Sequence, residues 1–332
     1  MPGSQGPLMP PIALSNIRRG LLFLVAIGLP LCAGIVFEQP AGALLGSICG
    51  MLFSFADEEA ALSRRFALLY LAAAAIGLGG TVGIWLHGYP PPLWVIFAAV
   101  VFACGLSNSI GKAPTMAGRF AAMAIVVTSG TPAFQFSELA FPVGALAVVS
   151  IARLIDHALA GPLPQQGGGA RSTPAGGWRR YAIAYAVSAT ASLYIGIAID
   201  PARVLWVVVT TLVVMQSDAR ASYVRIVHRI AGTVVGVVAA FALTTVLQAP
   251  WEIAAAALAT APLIPHHLQN RYWLHTALIA LMVFLLYDLA AFDPRLLRGL
   301  FTERLQDVLL GAGIALIGTM VAFPRAAPEE NA

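Results

Sequence analysis

Apolar residues run along this chain in long blocks and do not alternate with polar ones. Twelve blocks stand out: 18–37, 40–56, 66–86, 91–108, 115–133, 138–160, 179–199, 202–217, 227–248, 251–265, 273–290 and 304–323. A bilayer crossing needs about 20 apolar residues, and most blocks approach that length. The breaks between them hold prolines, glycines and charges. The pattern predicts an all-α integral membrane protein with about twelve transmembrane helices, or eleven or ten if the short and Pro-punctuated blocks do not cross. The first block could pass for a secretory signal, since Arg18 and Arg19 precede it. A similar start recurs in mid-chain, as WRRYAIAYAVSATASLYIGIAI over 178–199. A cleaved leader would not be duplicated inside the mature chain, so 21–37 is read as a span.

Composition narrows the class further. Of 332 residues, 59% are hydrophobic and only 10% charged, with a mean hydropathy of +0.83. A soluble domain carries roughly 25% charged residues. The lipid bilayer is therefore the first partner implied. No soluble basic face exists to hold nucleic acid. Cys32, Cys49 and Cys104 all lie in apolar blocks, and their odd number argues against disulfides.

Basic residues set an expected orientation. With both termini cytoplasmic, fifteen of the nineteen Lys and Arg fall on the inner side. The two halves also look alike. Arg19 and Arg180 each open a block, and Gln39-Pro40 and Asp200-Pro201 each mark the first outer turn. FADEEAALSRRF (55–66) and SDARASYVRIVHRI (217–230) each make an acidic-then-basic inner loop. Six helices per half give both halves one orientation, a parallel repeat of the sort transporters use. The expected organisation is a membrane half over 1–160, a flexible Gly/Pro/Ser-rich linker over 161–177 and a second half over 178–332.

Small residues recur every fourth position at Gly42, Gly46 and Gly50, and again at Gly232, Gly236 and Ala240. Such stripes let helix backbones approach closely, so these glycines read as packing positions. Arg225 and Arg229 precede the second stripe and share its helical face with Thr233. Two readings stand for them. They are topology anchors at the headgroups, or, with the positive end of a helix dipole, they hold a carboxylate. Arg304, Asp307 and Gly311 lie near one face of the last block. A carboxylate at that depth needs a partner, and Arg304 at i−3 supplies one, as an ion pair or as a proton relay. The short eighth block carries Trp206, Thr210 and Thr211, suited to an aromatic or polar solute; Trp206 also reads as an interface anchor. Asp218 and the Asp57/Glu58/Glu59 cluster are expected to pair with nearby arginines.

Catalytic and cofactor readings fail. GLSNSIGK (105–112) has five residues between its glycines and no Ser or Thr after Lys112, so it is not a phosphate loop. His266, His267 and His275 lack a spacing that converges on one metal and read as loop histidines. No Ser/His/Asp arrangement stands out. The expectation is a protein that is not an enzyme and needs no cofactor.

The segments W206VVVTTLVV, R229IAGTVVG and R304LQDVLLGAGIAL resemble the fusaric acid resistance (FUSC), or aromatic acid exporter, superfamily. The matching motifs are R-x-x-G-T-x-x-G (Arg229, Gly232, Thr233, Gly236) and R-x-x-D-x-x-x-G (Arg304, Asp307, Gly311). The likeness is good over 179–323 and weak over 1–160, where Arg65 matches but the later GLGGTVG (77–83) is out of register. It implies an inner-membrane exporter of organic anions, aromatic carboxylates especially, alongside a periplasmic adaptor subunit. A distant likeness to plant malate channels keeps a passive anion channel open, and a non-transporting scaffold for the adaptor is the third reading. Association of several copies of the chain is a further expectation.

Overall fold

The computed structural model describes residues 11–58, 60–130, 136–161, 177–200, 204–247, 249–267, 271–291 and 294–323. Every regular element among them is helical. In order these are α1 (Pro11–Val36), α2 (Pro40–Phe55), α3 (Leu62–Trp85), α4 (Pro90–Ser107), α5 (Lys112–Gly130), α6 (Phe136–Ala160), α7 (Gly177–Ile199), α8 (Val204–Val214), α9 (Ala219–Val246), α10 (Pro250–Thr260), a 3-10 turn (Ala261–Leu263), α11 (Ile264–His267), α12 (Tyr272–Ala291) and α13 (Pro294–Ala322). Most of the linker, 162–176, lies outside the described residues.

Each apolar block of the sequence became a helix, but the blocks are not equal. Among the described residues, eight helices are long and apolar enough to cross a bilayer: α1, α3, α4, α6, α7, α9, α12 and α13. α2 and α8 are apolar but shorter. At 1.5 Å per residue, the 11 residues of α8 reach about 16 Å, against a hydrocarbon core of about 30 Å. α10 is equally short and passes at Pro262 into the 3-10 turn. α5 has the length but carries Lys112, Thr115, Arg119, Thr128 and Ser129. Among the described residues, eight of the twelve expected blocks thus qualify by length and composition, and the other four form the shorter or more polar helices α2, α5, α8 and α10.

Proline defines many of the boundaries. Pro40, Pro90 and Pro250 each stand at the first position of their helix, where a missing N–H costs nothing and the fixed φ suits the first turn. Large apolar side chains such as Leu78, Val95, Val143, Val187 and Ile317 point outward and are more than half exposed. Polar side chains sit inside instead, among them Arg65, Arg153, Arg229, Arg304 and Asp307. This inside-out distribution is what a lipid environment selects.

The chain divides into two compact units, with boundaries inside α3 and α9. The first comprises Met1–Leu69, Gln135–Gln166 and Val235–Pro294; the second comprises Tyr70–Phe134, Gly167–Val234 and Arg295–Ala332. Each takes helices from both sequence halves. In the first unit α1 packs on α2 and α6, α10 packs on α12, and α12 meets α2. In the second unit α7 packs on α8 and α4, α4 packs on α5, and α5 meets α8. The first unit's core includes Phe23, Ile27, Leu31, Met51, Met282 and Leu285. The second unit's core includes Phe97, Val101, Tyr181, Tyr185, Leu212 and Met215.

Candidate functional site

In the second unit α13 has a buried face of Arg304, Asp307, Gly311, Ala315 and Thr319, and meets α8 at Arg304 and Gly311. Gly311 makes this possible. A Cβ there would meet the Val207 carbonyl oxygen at 2.5 Å and the Thr210 Cβ at 2.9 Å. The Thr211 hydroxyl donates to the Gly311 carbonyl at 3.1 Å and lies 2.7 Å from the Ser192 hydroxyl, tying α7, α8 and α13 together. Two turns before Gly311, the guanidinium of Arg304 stacks over the Trp206 indole, 3.4 Å from the ring centroid. Arg304 is 5% exposed and Asp307 4%. The Thr210 hydroxyl is fully buried and makes no hydrogen bond among the described residues. The second unit therefore brings Trp206, Thr210, Arg304 and Gly311 onto one helix–helix contact, with Asp307 buried on the same face of α13.

α9 carries the other predicted cations. Its buried face runs through Ser222, Ile226, Arg229, Gly232, Thr233, Gly236 and Ala240, while Val227, Val234, Val238 and Phe241 are exposed. Arg229 thus faces inward with Thr233, whose buried hydroxyl makes no hydrogen bond among the described residues. Arg225, one turn earlier, is half-buried. Gly236 admits α12, since a Cβ there would collide with the Ala277 carbonyl.

On α2 the small stripe meets three neighbours. A Cβ at Gly42 would enter the Phe141 ring, one at Gly46 would meet Pro30 Cβ at 2.9 Å, and one at Gly50 would collide with the Ala26 carbonyl.

Asp218 departs from expectation. It caps α9, its Oδ2 accepting from the Ala221 N–H at 2.7 Å, and makes no ion pair among the described residues. Standing just before the first helical residue, its carboxylate is placed to satisfy free N–H groups, which outweighs a reach toward an arginine. The histidines also differ from the loop reading. His266 and His267 sit in α11. His275 is buried on α12, with Nδ1 2.9 Å from the Ile264 carbonyl oxygen.

The first unit holds a charge network that motif reading did not assemble. Asp57 takes the Arg65 fork at 2.9 and 2.7 Å, and Asp156 takes Arg18 at 2.7 and 3.0 Å. Arg65 also reaches Asp156 at 2.9 Å, so one guanidinium joins both carboxylates. Arg153 donates to the main-chain carbonyls of Arg65 and Phe53. The expectation that the acidic cluster pairs with arginines holds for Asp57 and for Glu58, the latter with Arg64 at 3.4 Å, while Glu59 lies outside the described residues. The available signal for the rest was Arg153 and Asp156 standing inside an otherwise apolar block, which marks an intramembrane ionisable pair.

Another missed residue is Arg119 on α5. Its Nε donates to the Tyr185 hydroxyl at 3.2 Å and its Nη2 to the Met215 carbonyl at 3.4 Å. Tyr181 and Tyr185 stack at 5.6 Å and donate to the carbonyls of Met215 and Leu212. Together the three side chains satisfy carbonyls at the end of the short α8, and the cation complements the negative pole of that helix.

Comparison with known proteins places this architecture. Residues 183–318, which include α8, α9 and most of α13, match the family model described as fusaric acid resistance protein-like. The match supports the resemblance carried by Arg229, Arg304 and their glycines, all of which lie in this segment. With its apolar helices, the chain is a multi-pass membrane protein. A stretch of 120 residues is 32% identical to an uncharacterized protein of Haemophilus influenzae. The match covers 36% of this chain and 16% of that relative's length. No solved structure matches.

Proposed function

We propose that the protein is an inner-membrane efflux transporter of organic acids, aromatic carboxylates foremost, driven by the proton gradient. The observation that carries this reading is the buried Arg304 guanidinium stacked on Trp206 inside the family-matched segment. A guanidinium offers a carboxylate two parallel donors, and an indole face offers an aromatic ring a stacking surface. Thr210 and Thr233 add buried hydroxyls, and Arg229 and Arg225 attract the anion from the cytoplasmic side. Asp307, buried one turn from Arg304, is the proton-carrying candidate. The glycine faces let helices slide or rock.

The layout proposed is two parallel six-helix repeats with both termini cytoplasmic. Reciprocal packing supports it. The first two helices of one half (α1, α2) pack with the fourth and fifth of the other (α10, α12), while α7 and α8 pack with α4 and α5. The excess of Lys and Arg on one side supports the direction. A periplasmic adaptor subunit and further copies of the chain complete the proposed assembly.

The test is retention of labelled 4-hydroxybenzoate in preloaded cells holding no protein, wild type or Arg304→Ala at matched membrane abundance. Faster emptying by wild type alone supports the exporter, and an uncoupler should abolish it. Equal retention in all three overturns the reading. Non-saturating conductance in planar bilayers would replace a carrier with a channel.

A further inference from the structure

A half-open cavity of ≈ 40 Å³ lies in the first unit beside the charge network, walled by Arg19, Ser54, Asp57, Arg153 and the apolar Phe23, Phe55, Val149 and Pro265. We propose that this cavity binds a small monovalent anion, a halide or the head of a carboxylate.

Charge and donor geometry both lead there. The network of Arg18, Arg65, Arg153, Asp57 and Asp156 holds three guanidinium groups against two carboxylates. The side chains of Arg65 and Arg153 are each 1% exposed, so water does little to screen the surplus. Asp57 and Asp156 are already gripped by Arg65 and Arg18, which offsets their charge. Arg153 is the member left short. Two of its nitrogens donate to neutral carbonyls, and its Nε is 3.6 Å from Asp57, past hydrogen-bonding distance. Nε makes no hydrogen bond among the described residues, and the Arg153 side chain lines the cavity. Arg19 places a second cation on the same wall.

Ser54 spends its proton on the Gly50 carbonyl at 2.8 Å, so the arginines are the donors that select the charge of the occupant. Size selects the rest. One water needs only about 10–15 Å³ of such space, so the cavity takes a small anion with room for a water beside it. Apart from Pro265, the lining comes from α1, the end of α2 with the turn after it, and α6, outside the family-matched segment, and the site does not depend on what the second unit transports.

The experiment is thermal unfolding of the full chain purified in detergent, titrated with chloride, bromide or acetate against gluconate at constant ionic strength. The midpoint of wild type should rise saturably with the small anions and stay flat with gluconate. Arg153→Gln should weaken that response by about tenfold or more, the worth of one charge-assisted hydrogen bond. Ala152 also lines the cavity, and Ala152→Leu keeps every charge while filling it, so this variant should retain the basal midpoint and lose the response. Response to halides alone assigns an inorganic anion, and response to acetate as well assigns the carboxylate class. A wild-type midpoint indifferent to all three anions overturns the site. So does an unchanged response in Ala152→Leu.

Discussion

Arg18 on α1 holds Asp156 on α6 side-on, Nε to Oδ1 at 2.7 Å and Nη2 to Oδ2 at 3.0 Å, across 138 positions of sequence. Arg18 also donates to the Gly161 carbonyl at 2.8 Å, just past the end of α6. This fork closes the first unit by binding its first helix to the last helix of the same half. Because Arg65 shares Asp156, removing the carboxylate strands two cations at once. Asp156→Asn should therefore cost about 3–5 kcal/mol, as breaking a buried pair does, read as a lower unfolding midpoint in detergent. The paired change Arg18→Met with Asp156→Leu should cost less than the single one, since no unmatched charge remains on α1. A single variant as stable as wild type would remove the network from the stability of this unit.

The helices were legible in the sequence, and this network was not. Runs of apolar residues bounded by Pro40, Pro90 and Pro250 mark helices because proline and lipid both act locally. The partnership of Arg18, Asp57, Arg65, Arg153 and Asp156 joins α1, α3, α6 and the turn after α2, and no local spacing encodes it. Single-sequence reading saw Arg153 only as one more cation on the inner side. The short α8 was visible as a short block. Its carbonyl partners on Arg119 and two tyrosines were not, since they come from elsewhere in the chain. By contrast, the inward face of α9 follows from 100° per residue, so Arg229 over Gly232 and Gly236 could be read directly.

Two glycines on α13 predict opposite signs. A Cβ at Gly311 would press on the Val207 carbonyl and Thr210, whereas one at Gly313 would meet nothing within 4 Å. Gly311→Ala should destabilise by about 1–3 kcal/mol, because the obstruction includes backbone. Gly313→Ala should gain up to about 1 kcal/mol of helix propensity. Parallel thermal melts of the two variants check both signs, and equal shifts would deny that α13 is seated on α8 at Gly311.

The Thr211 hydroxyl bridges Ser192 and Gly311 where α7, α8 and α13 meet. Thr211→Val keeps the shape and removes the bridge, leaving buried polar groups with fewer partners. The expected cost is about 1–3 kcal/mol in the unfolding midpoint. Thr211→Ser keeps the hydroxyl and should recover most of it. If serine restores nothing, the methyl packing and not the bridge holds this junction.

Stacking of Arg304 on Trp206 separates guanidinium chemistry from plain charge. Arg304→Lys keeps the charge but loses the planar fork and its fit to an aromatic face. Under the transport reading, Arg304→Lys should slow organic-acid efflux at normal abundance, and Trp206→Leu should weaken the same step. For the Trp206 change the expected effect is about two- to thirtyfold, the range of a cation–π contact from exposed to desolvated. Efflux rates across several internal concentrations of 4-hydroxybenzoate check this. Full efflux in both variants would leave the pair as packing.

Asp218 gives the cleanest division between structure and transport. Its Oδ2 accepts from the Ala221 N–H at 2.7 Å, and its main-chain carbonyl accepts from the Ser222 hydroxyl at 2.9 Å. A carboxylate in this place satisfies a free helix donor and faces the positive pole of α9. Asp218→Ala should cost about 1 kcal/mol, and Asp218→Asn or Asp218→Ser much less, because both still cap. A proton relay would respond in another order. Asparagine caps but cannot carry a proton, so Asp218→Asn would stop coupled efflux while leaving stability near wild type. We expect Asp218→Asn to transport normally and Asp218→Ala to lose only stability. Efflux measured beside thermal midpoints for the three variants decides between a cap and a relay.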